Sequence, residues 1–275
     1  MQTYHKLLLH ILVNGEPHQD RTGVGTKSVF GYQWRHNMRE GFPLLTTKRV
    51  SLRWVFEELR WFLSGSTDEA LLRAQGVDIW KEWATAEQCA KFGREAGDLG
   101  PIYGKQWRDF DGSDQIGQLL DDLQRSPNSR RLIVSAWHPR ESRQVSLPPC
   151  HTLYQVKVHD DNSLSLHLYA RSIDAFLGLP YNIASYGLLL EMLAAVTKRE
   201  SRDLVISFGD LHLYSNHNDQ AHEQLSRTPR PLPSLKISLP DPQADPLANL
   251  LAIRYEHLDL QGYDPHPAIS AEVAV

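Results

Sequence analysis

The stretch LPPCHTLYQV places Cys150 after two prolines and beside His151, while the chain's other cysteine, Cys89, is too distant in sequence to suggest a partner. A thiol of ordinary pKa, about 8.5, is only a few per cent thiolate at neutral pH, so nucleophilic chemistry at Cys150 requires a cation beside it. Arg171 can supply one. In SLSLHLYARS, Leu164, Leu166 and Leu168 share one face of an alternating strand, which sends Ser165, His167, Tyr169 and Arg171 to the other. His151 invites a Cys/His hydrolase reading, but neighbouring strand residues point to opposite faces, which argues against direct pairing. With no cation in reach, Cys150 would be a small buried hydrophobe. Glu58 is a second candidate, on a helix stripe with Trp54 and Trp61 one turn away on either side. Aromatic crowding raises a carboxyl pKa and suits a group that both accepts and donates protons. The plainer alternative puts Glu58 on an exposed charge face with Arg53, Glu57 and Arg60.

The elements that must hold these residues are partly legible. In VSLRWVFEELRWFLSG, Leu52, Val55, Phe56, Leu59, Phe62 and Leu63 follow the spacing of one helix face, and Gly65 ends the helix. NIASYGLLLEMLAAVTK is apolar on most sides and predicts a buried central helix beginning at Asn182, a good N-cap residue. RRLIVSAW, TLYQVKVH and SLSLHLYARS read as strands, the last two joined through Asp160-Asp161-Asn162 as a hairpin. The polar stretch from 84 to 98 and the proline-rich stretch from Thr228 to Pro246 read as surface loops. No repeat or linker divides the sequence, so residues 1–275 are expected to form one domain of mixed α and β structure.

Composition narrows the setting. A net charge of −4 and a pI near 6.3 argue against a broad nucleic-acid surface, although local arginines can hold a phosphate. Two separated cysteines make neither a disulfide framework nor a zinc motif, which points to a reducing cytoplasm and a free thiol. KLLLHILV is interrupted by His10 and lacks the flanks of a signal peptide, so neither export nor a membrane span is expected.

Taken together, the segments DRTGVGT, FPLLTTKR, EELRWFLSGST, IWKEWA, GDLGPIYGKQWR, SRRLIVSAW, LPPCH, RSIDAFLGLPYNIASYG, GDLHLYSNH, RPLP and GYDPHP resemble the thymidylate synthase family in order and spacing. The resemblance covers nearly the whole chain. It implies an α+β fold, a mixed β-sheet flanked by helices, with a sheet face forming a dimer interface. It also implies reductive methylation of dUMP to dTMP, with 5,10-methylenetetrahydrofolate supplying carbon and hydride and no metal required. On that resemblance Cys150 is the nucleophile that adds to uracil C6, Glu58 the general acid/base, and Tyr103 the group near the C5 proton. Arg21, Arg171 and Ser172 hold the phosphate, joined by Arg130 and Arg131 from the partner subunit of a homodimer. Asn182 matches the residue that selects the base, since an amide offers both donor and acceptor. His212 and Tyr214 match the residues on the deoxyribose hydroxyl.

The implied folate slot comprises Trp80, Trp83, Asp174, Phe176, Leu177, Gly178 and Ala274, with Asp174 also counted in the catalytic and nucleotide sets. Trp80 matches the residue that lets hydride outcompete water. Lys48 and Arg49 match residues meeting the glutamate tail, unless they are simply solvated. Three positions depart from the family pattern. Ala170 stands where glutamine is general, His138 where asparagine is usual, and Glu272 where proline is typical, in the tail that closes over folate. The alternatives are a pyrimidine-nucleotide hydroxymethyltransferase on the same fold and a non-catalytic nucleotide- or RNA-binding relative.

Overall fold

A computed structural model describes residues 2–20 and 22–273. In chain order its elements are α1 (Gln2–Asn14), β1 (Glu16–His18), β2 (Thr26–Asn37), α2 (Leu52–Ser64), α3 (Glu69–Arg73), α4 (Ala86–Ala90), α5 (Tyr103–Arg108) and α6 (Gln115–Arg125). These are followed by β3 (Ile133–Ser135), β4 (His151–Val158), β5 (Ser163–Asp174), α7 (Gly178–Val196) and β6 (Glu200–Tyr214). The chain then forms α8 (Asn218–Ser226), β7 (Ser234–Ile237), α9 (Pro246–Ala252) and β8 (Leu258–Gln261).

The main sheet has six strands in the order β1-β2-β6-β5-β4-β3. β5 and β6 run parallel, and the other neighbours are antiparallel. A parallel pair needs a crossover, and α7 supplies it. The fold is the mixed α+β sheet with flanking helices that the resemblance implied. β7 and β8 form a separate antiparallel pair.

Local chemistry explains the elements nearest the site. α2 starts where Ser51 Oγ accepts from Trp54 N at 3.3 Å, and it ends at Gly65, whose φ of 79° is left-handed. All six apolar positions read from its spacing are buried, each contributing about 1.5–3 kcal/mol of transfer free energy. β4 and β5 make the expected hairpin, with Asn162 at φ 62° in the turn and Asp161 Oδ1 accepting from Ser163 N at 3.1 Å. Along β5, Leu164, Leu166, Leu168 and Ala170 are buried, while His167 and Tyr169 are exposed on the opposite face.

Several expectations are corrected. α7 begins at Gly178, not Asn182, because Pro180 falls in the first turn, where its missing N–H has no helical acceptor to serve. Asn182 is therefore inside the helix and caps nothing. α7 is long and apolar enough to cross a membrane, but 78% of its most apolar window is buried inside the fold. The strand read over 130–137 is confined to Ile133–Ser135. The supposed loops hold α4, capped by Thr85 Oγ1 on Gln88 N at 3.2 Å, and the strand β7. The sequence reading also missed β2 and β6. β2 is rich in polar residues, and the middle of β6 is buried on both faces, so neither alternates cleanly.

Candidate active site

Cys150 immediately precedes β4 and is half-buried. Its neighbour on β5 is Arg171, whose N–H bonds Cys150 O at 2.8 Å and whose Nη2 comes within 3.8 Å of Sγ. The guanidinium is fixed from behind: Nε donates to Pro149 O at 2.9 Å and Nη2 to Pro148 O at 2.7 Å. It also lies 5.5 Å from the centre of the Trp137 ring. The two prolines thus turn their carbonyls onto the cation that faces the sulfur. Close strand packing makes this possible, because a Cβ on buried Gly209 of β6 would sit 2.6 Å from Arg171 O.

The wall opposite comes from α2 and α5. Tyr103 Oη accepts from Cys150 N at 2.7 Å, and burial pushes the Tyr103 hydroxyl pKa well up, with the Cys150 charge adding to the effect. Trp80 packs edge-on to Tyr103 at 6.1 Å and donates Nε1–H to Glu58 Oε1 at 2.7 Å. Glu58 is 9% exposed, and burial pushes its pKa up to about 7 against the opposing Trp80 hydrogen bond. The exposed charge face is excluded for Glu58. Glu57 is buried as well, and Arg60 Nη1 reaches it at 3.3 Å.

His151 is the residue that sequence reasoning undervalued. Its ring packs 5.4 Å from Tyr103 and 5.2 Å from Tyr186. Burial lowers its pKa to about 4, partly offset by a hydrogen bond with the Asn182 side chain, so the ring is neutral at pH 7. A neutral, caged imidazole fixes the Asn182 amide. The signal available in the sequence was a histidine beginning a strand whose other inward residues are apolar.

The parallel pair β5/β6 brings a second group together. Ser172 is opposite Asp210, and Asp174 is opposite His212. His212 Nδ1 and Asp210 Oδ1 are 2.8 Å apart, and the imidazole holds the Asp210 pKa down. The Tyr214 ring stands edge-on to His212 at 5.1 Å. Asp174 accepts from Phe176 N at 2.9 Å and from Leu177 N at 3.2 Å, which anchors the turn into α7. Leu177, Gly178 and Trp83 are half-buried, and the Trp83 ring meets Trp80 at 5.9 Å and 64°. Phe176 is fully buried and can only back such a slot.

Lys48 and Arg49 separate. Arg49 is exposed, but Lys48 is 5% exposed, with Nζ donating to Phe176 O and lying 3.6 Å from that ring. Burial lowers the Lys48 pKa to about 7, opposed by Asp174. Lys48 is therefore not a solvated side chain, whereas Arg49 is open to solvent. Arg130 and Arg131 are exposed ahead of β3, and among the described residues neither side chain bonds to the cluster around Cys150. Arg21 and Ala274 lie outside the described residues.

The three departures have distinct settings. Ala170 is fully buried on the core side, opposite His151. Glu272 is exposed, and its carbonyl meets His217 Nε2 at 2.7 Å. His138 joins Asp111 and Glu141 in a group whose ligand atoms lie within 4.8 Å of one another. Its Nδ1 accepts from Glu141 N at 3.3 Å, leaving Nε2–H to face Asp111 Oδ2 at 3.1 Å, so the group is satisfied as a hydrogen-bond relay. A cavity of about 440 Å³, lined by Glu57, Arg60, Leu72, Met192 and Leu250 among others, includes neither Cys150 nor Glu58 in its lining.

The arrangement offers a sulfur beside a guanidinium, a carboxyl that titrates near neutrality, an amide bonded to a neutral imidazole, a pair of indoles and a carboxylate anchoring the turn into α7. Comparison with known families finds a match over residues 2–275 to the one described as thymidylate synthase.

Proposed function

The chain belongs to the thymidylate synthase family, and from that premise we propose that it converts dUMP to dTMP, consuming 5,10-methylenetetrahydrofolate and releasing dihydrofolate. The observation that carries this reading is the Cys150 sulfur within 3.8 Å of Arg171 Nη2, facing the wall that holds Glu58 and Trp80. The family also includes hydroxymethylases. Trp80, tied to Glu58, favours the synthase because an indole fixed there excludes water from the carbon being reduced.

The folate supplies the one-carbon unit and the hydride. Cys150 bonds to C6 of the uracil, so that C5 gains the electron density to attack carbon, and the same sulfur later departs. Glu58 carries protons to and from O4, which a carboxyl of pKa about 7 does in both directions at neutral pH. Tyr103, through water, serves the proton leaving C5. Asn182, held by neutral His151, matches the donor and acceptor edge of uracil. Arg21, Arg171 and Ser172 hold the phosphate, and His212 with Tyr214 the sugar hydroxyl. Asp174, Leu177, Gly178, Trp83 and Ala274 form the folate slot with Trp80, Phe176 backs it, and Arg49 faces the glutamate tail.

The working unit in this reading is a homodimer. On the outer sheet face Leu153 is opposite Tyr169, and Ile133 is opposite Gln155; Ile133, Leu153 and Tyr169 are 46%, 39% and 40% exposed. Exposed apolar side chains gathered on one sheet face support such an association. Arg130 and Arg131 flank it and are assigned to the partner's phosphate. A Cys150 thiol outside any disulfide suits a reducing compartment.

The purified protein, given dUMP tritiated at C5 and the folate, should release tritium and form dihydrofolate in equal amounts. Tritium release without dihydrofolate would replace the synthase with a hydroxymethyltransferase. Absence of a covalent adduct at Cys150 with 5-fluoro-dUMP and folate, read by mass spectrometry, would favour a nucleotide-binding protein.

A further inference from the structure

His217 follows β6 and is fully buried, with its ring 5.5 Å from Phe176 and 5.8 Å from Tyr214. Its two nitrogens face different parts of the molecule. Nε2 lies 2.7 Å from the carbonyl oxygen of Glu272, in the C-terminal segment. A carbonyl only accepts, so Nε2 carries the proton. Nδ1 has no hydrogen-bond partner among the described residues and lies 4.0 Å from Asp174 Oδ1. A fully buried polar atom left in this state is costly and calls for an explanation.

The C-terminal segment shows what the Nε2 bond does. Upstream it is firmly pinned: His266 N donates to Thr46 O at 2.8 Å, and Arg227 Nη1 reaches Pro267 O at 2.6 Å and Thr47 O at 2.9 Å. Residues 268–271 make no hydrogen bond among the described residues, and only Ile269 and Ala271 pack partly against the core. The next polar tie is His217 to Glu272. Removing it leaves a strap fixed at Pro267 and loose beyond.

We propose that His217 is a positioning residue that couples the C-terminal segment to Asp174, the carboxylate assigned to the folate slot. Nε2–H holds the strap, and the same ring packs 5.5 Å from Phe176, whose N–H donates to Asp174, so the strap and the turn that carries the carboxylate depend on one side chain. This rests on the proposed function for the identity of the ligand, but the strap itself is independent of it. An imidazole is needed because its nitrogens diverge from one planar ring. Glutamine can replace the Nε2 contact only, and asparagine the Nδ1 position only.

The test uses the full-length protein and two readouts. Carboxypeptidase digestion of the ligand-free protein should release C-terminal residues about 3- to 10-fold faster from His217→Phe and His217→Asn than from wild type, the equivalent of one lost hydrogen bond. His217→Gln should digest at the wild-type rate. In turnover, His217→Phe should raise KM for the folate by a similar factor and leave KM for dUMP unchanged, whereas a general packing defect would move both. Unchanged digestion of His217→Asn overturns the latch, and the Asn/Gln pair decides the matter if the Phe variant does not fold. Equal changes in the two KM values overturn the coupling to Asp174. Failure of the wild-type protein to form dihydrofolate would overturn the proposed function alone, since the digestion result would stand.

Discussion

Around Cys150 the side chains are tied to backbone and to one another: Arg171 to the proline carbonyls, Tyr103 to the Cys150 amide, Trp80 to Glu58, Asn182 to His151. Arg130 and Arg131, assigned to the nucleotide in the partner's site, are exposed at the start of β3. The first region is preorganised within one chain, and the two side chains of the second make no hydrogen bond or ion pair among the described residues. Bond-making groups need angstrom precision, which a packed core supplies. Charges that capture a phosphate tolerate distance and can come from a second copy.

Substitutions can break or sharpen this contrast. Cys150→Ala should lower turnover by at least about 10⁴-fold while dUMP still binds, because the sulfur is the only group assigned to C6. Retained turnover would move the chemistry elsewhere. Glu58→Gln should cost about 10²–10³-fold in kcat. It should also stabilise the protein at high pH. The Glu58 carboxyl has a folded pKa of about 7 against 4.5 when unfolded, so the wild type loses stability as pH rises between those values. The gain from Gln should therefore be small at pH 4 and reach about 3 kcal/mol above pH 7. Denaturation at both pH values checks the sign.

Arg131→Ala should raise KM for dUMP about 10-fold without changing the melting temperature, as expected for an exposed charge-assisted contact. At dUMP far below KM, an equal mixture with Cys150→Ala protein should show roughly a quarter of wild-type activity, against about a twentieth without subunit exchange, since half the dimers then carry one intact site. No recovery would place Arg131 within its own protomer's site. The smallest catalytic effect is expected for Ala170→Gln. Its side chain enters a fully buried position, so stability should fall by about 1–3 kcal/mol with KM for dUMP almost unchanged.

How much was legible follows the range of the interactions. The α2 stripe and the β4–β5 hairpin are local patterns, and both appear where the sequence placed them. The start of α7 was misread because Asn182 looks like a cap, while Pro180 is compatible with a first turn. Glu58 was legible as a carboxyl among aromatics, but its partner Trp80 was not, because that bond depends on the fold between α2 and α5. Lys48 matched the glutamate-tail position with a solvated side chain as the alternative, and its burial against Phe176, from another part of the chain, was not legible. His151 was judged only against Cys150; its real partner, Asn182, becomes a neighbour once α7 packs on β5.

Gly209 bonds to no group that reacts, and its importance is the room it leaves. A methyl group there would press on the Arg171 carbonyl and on the Tyr169 hydroxyl, 3.0 Å away. A mutational scan scored by activity should thus show position 209 to be nearly as intolerant as the nucleophile, though it contributes no chemistry. Anyone redesigning this enzyme's nucleotide preference should leave that small gap untouched while varying the residues that line the site.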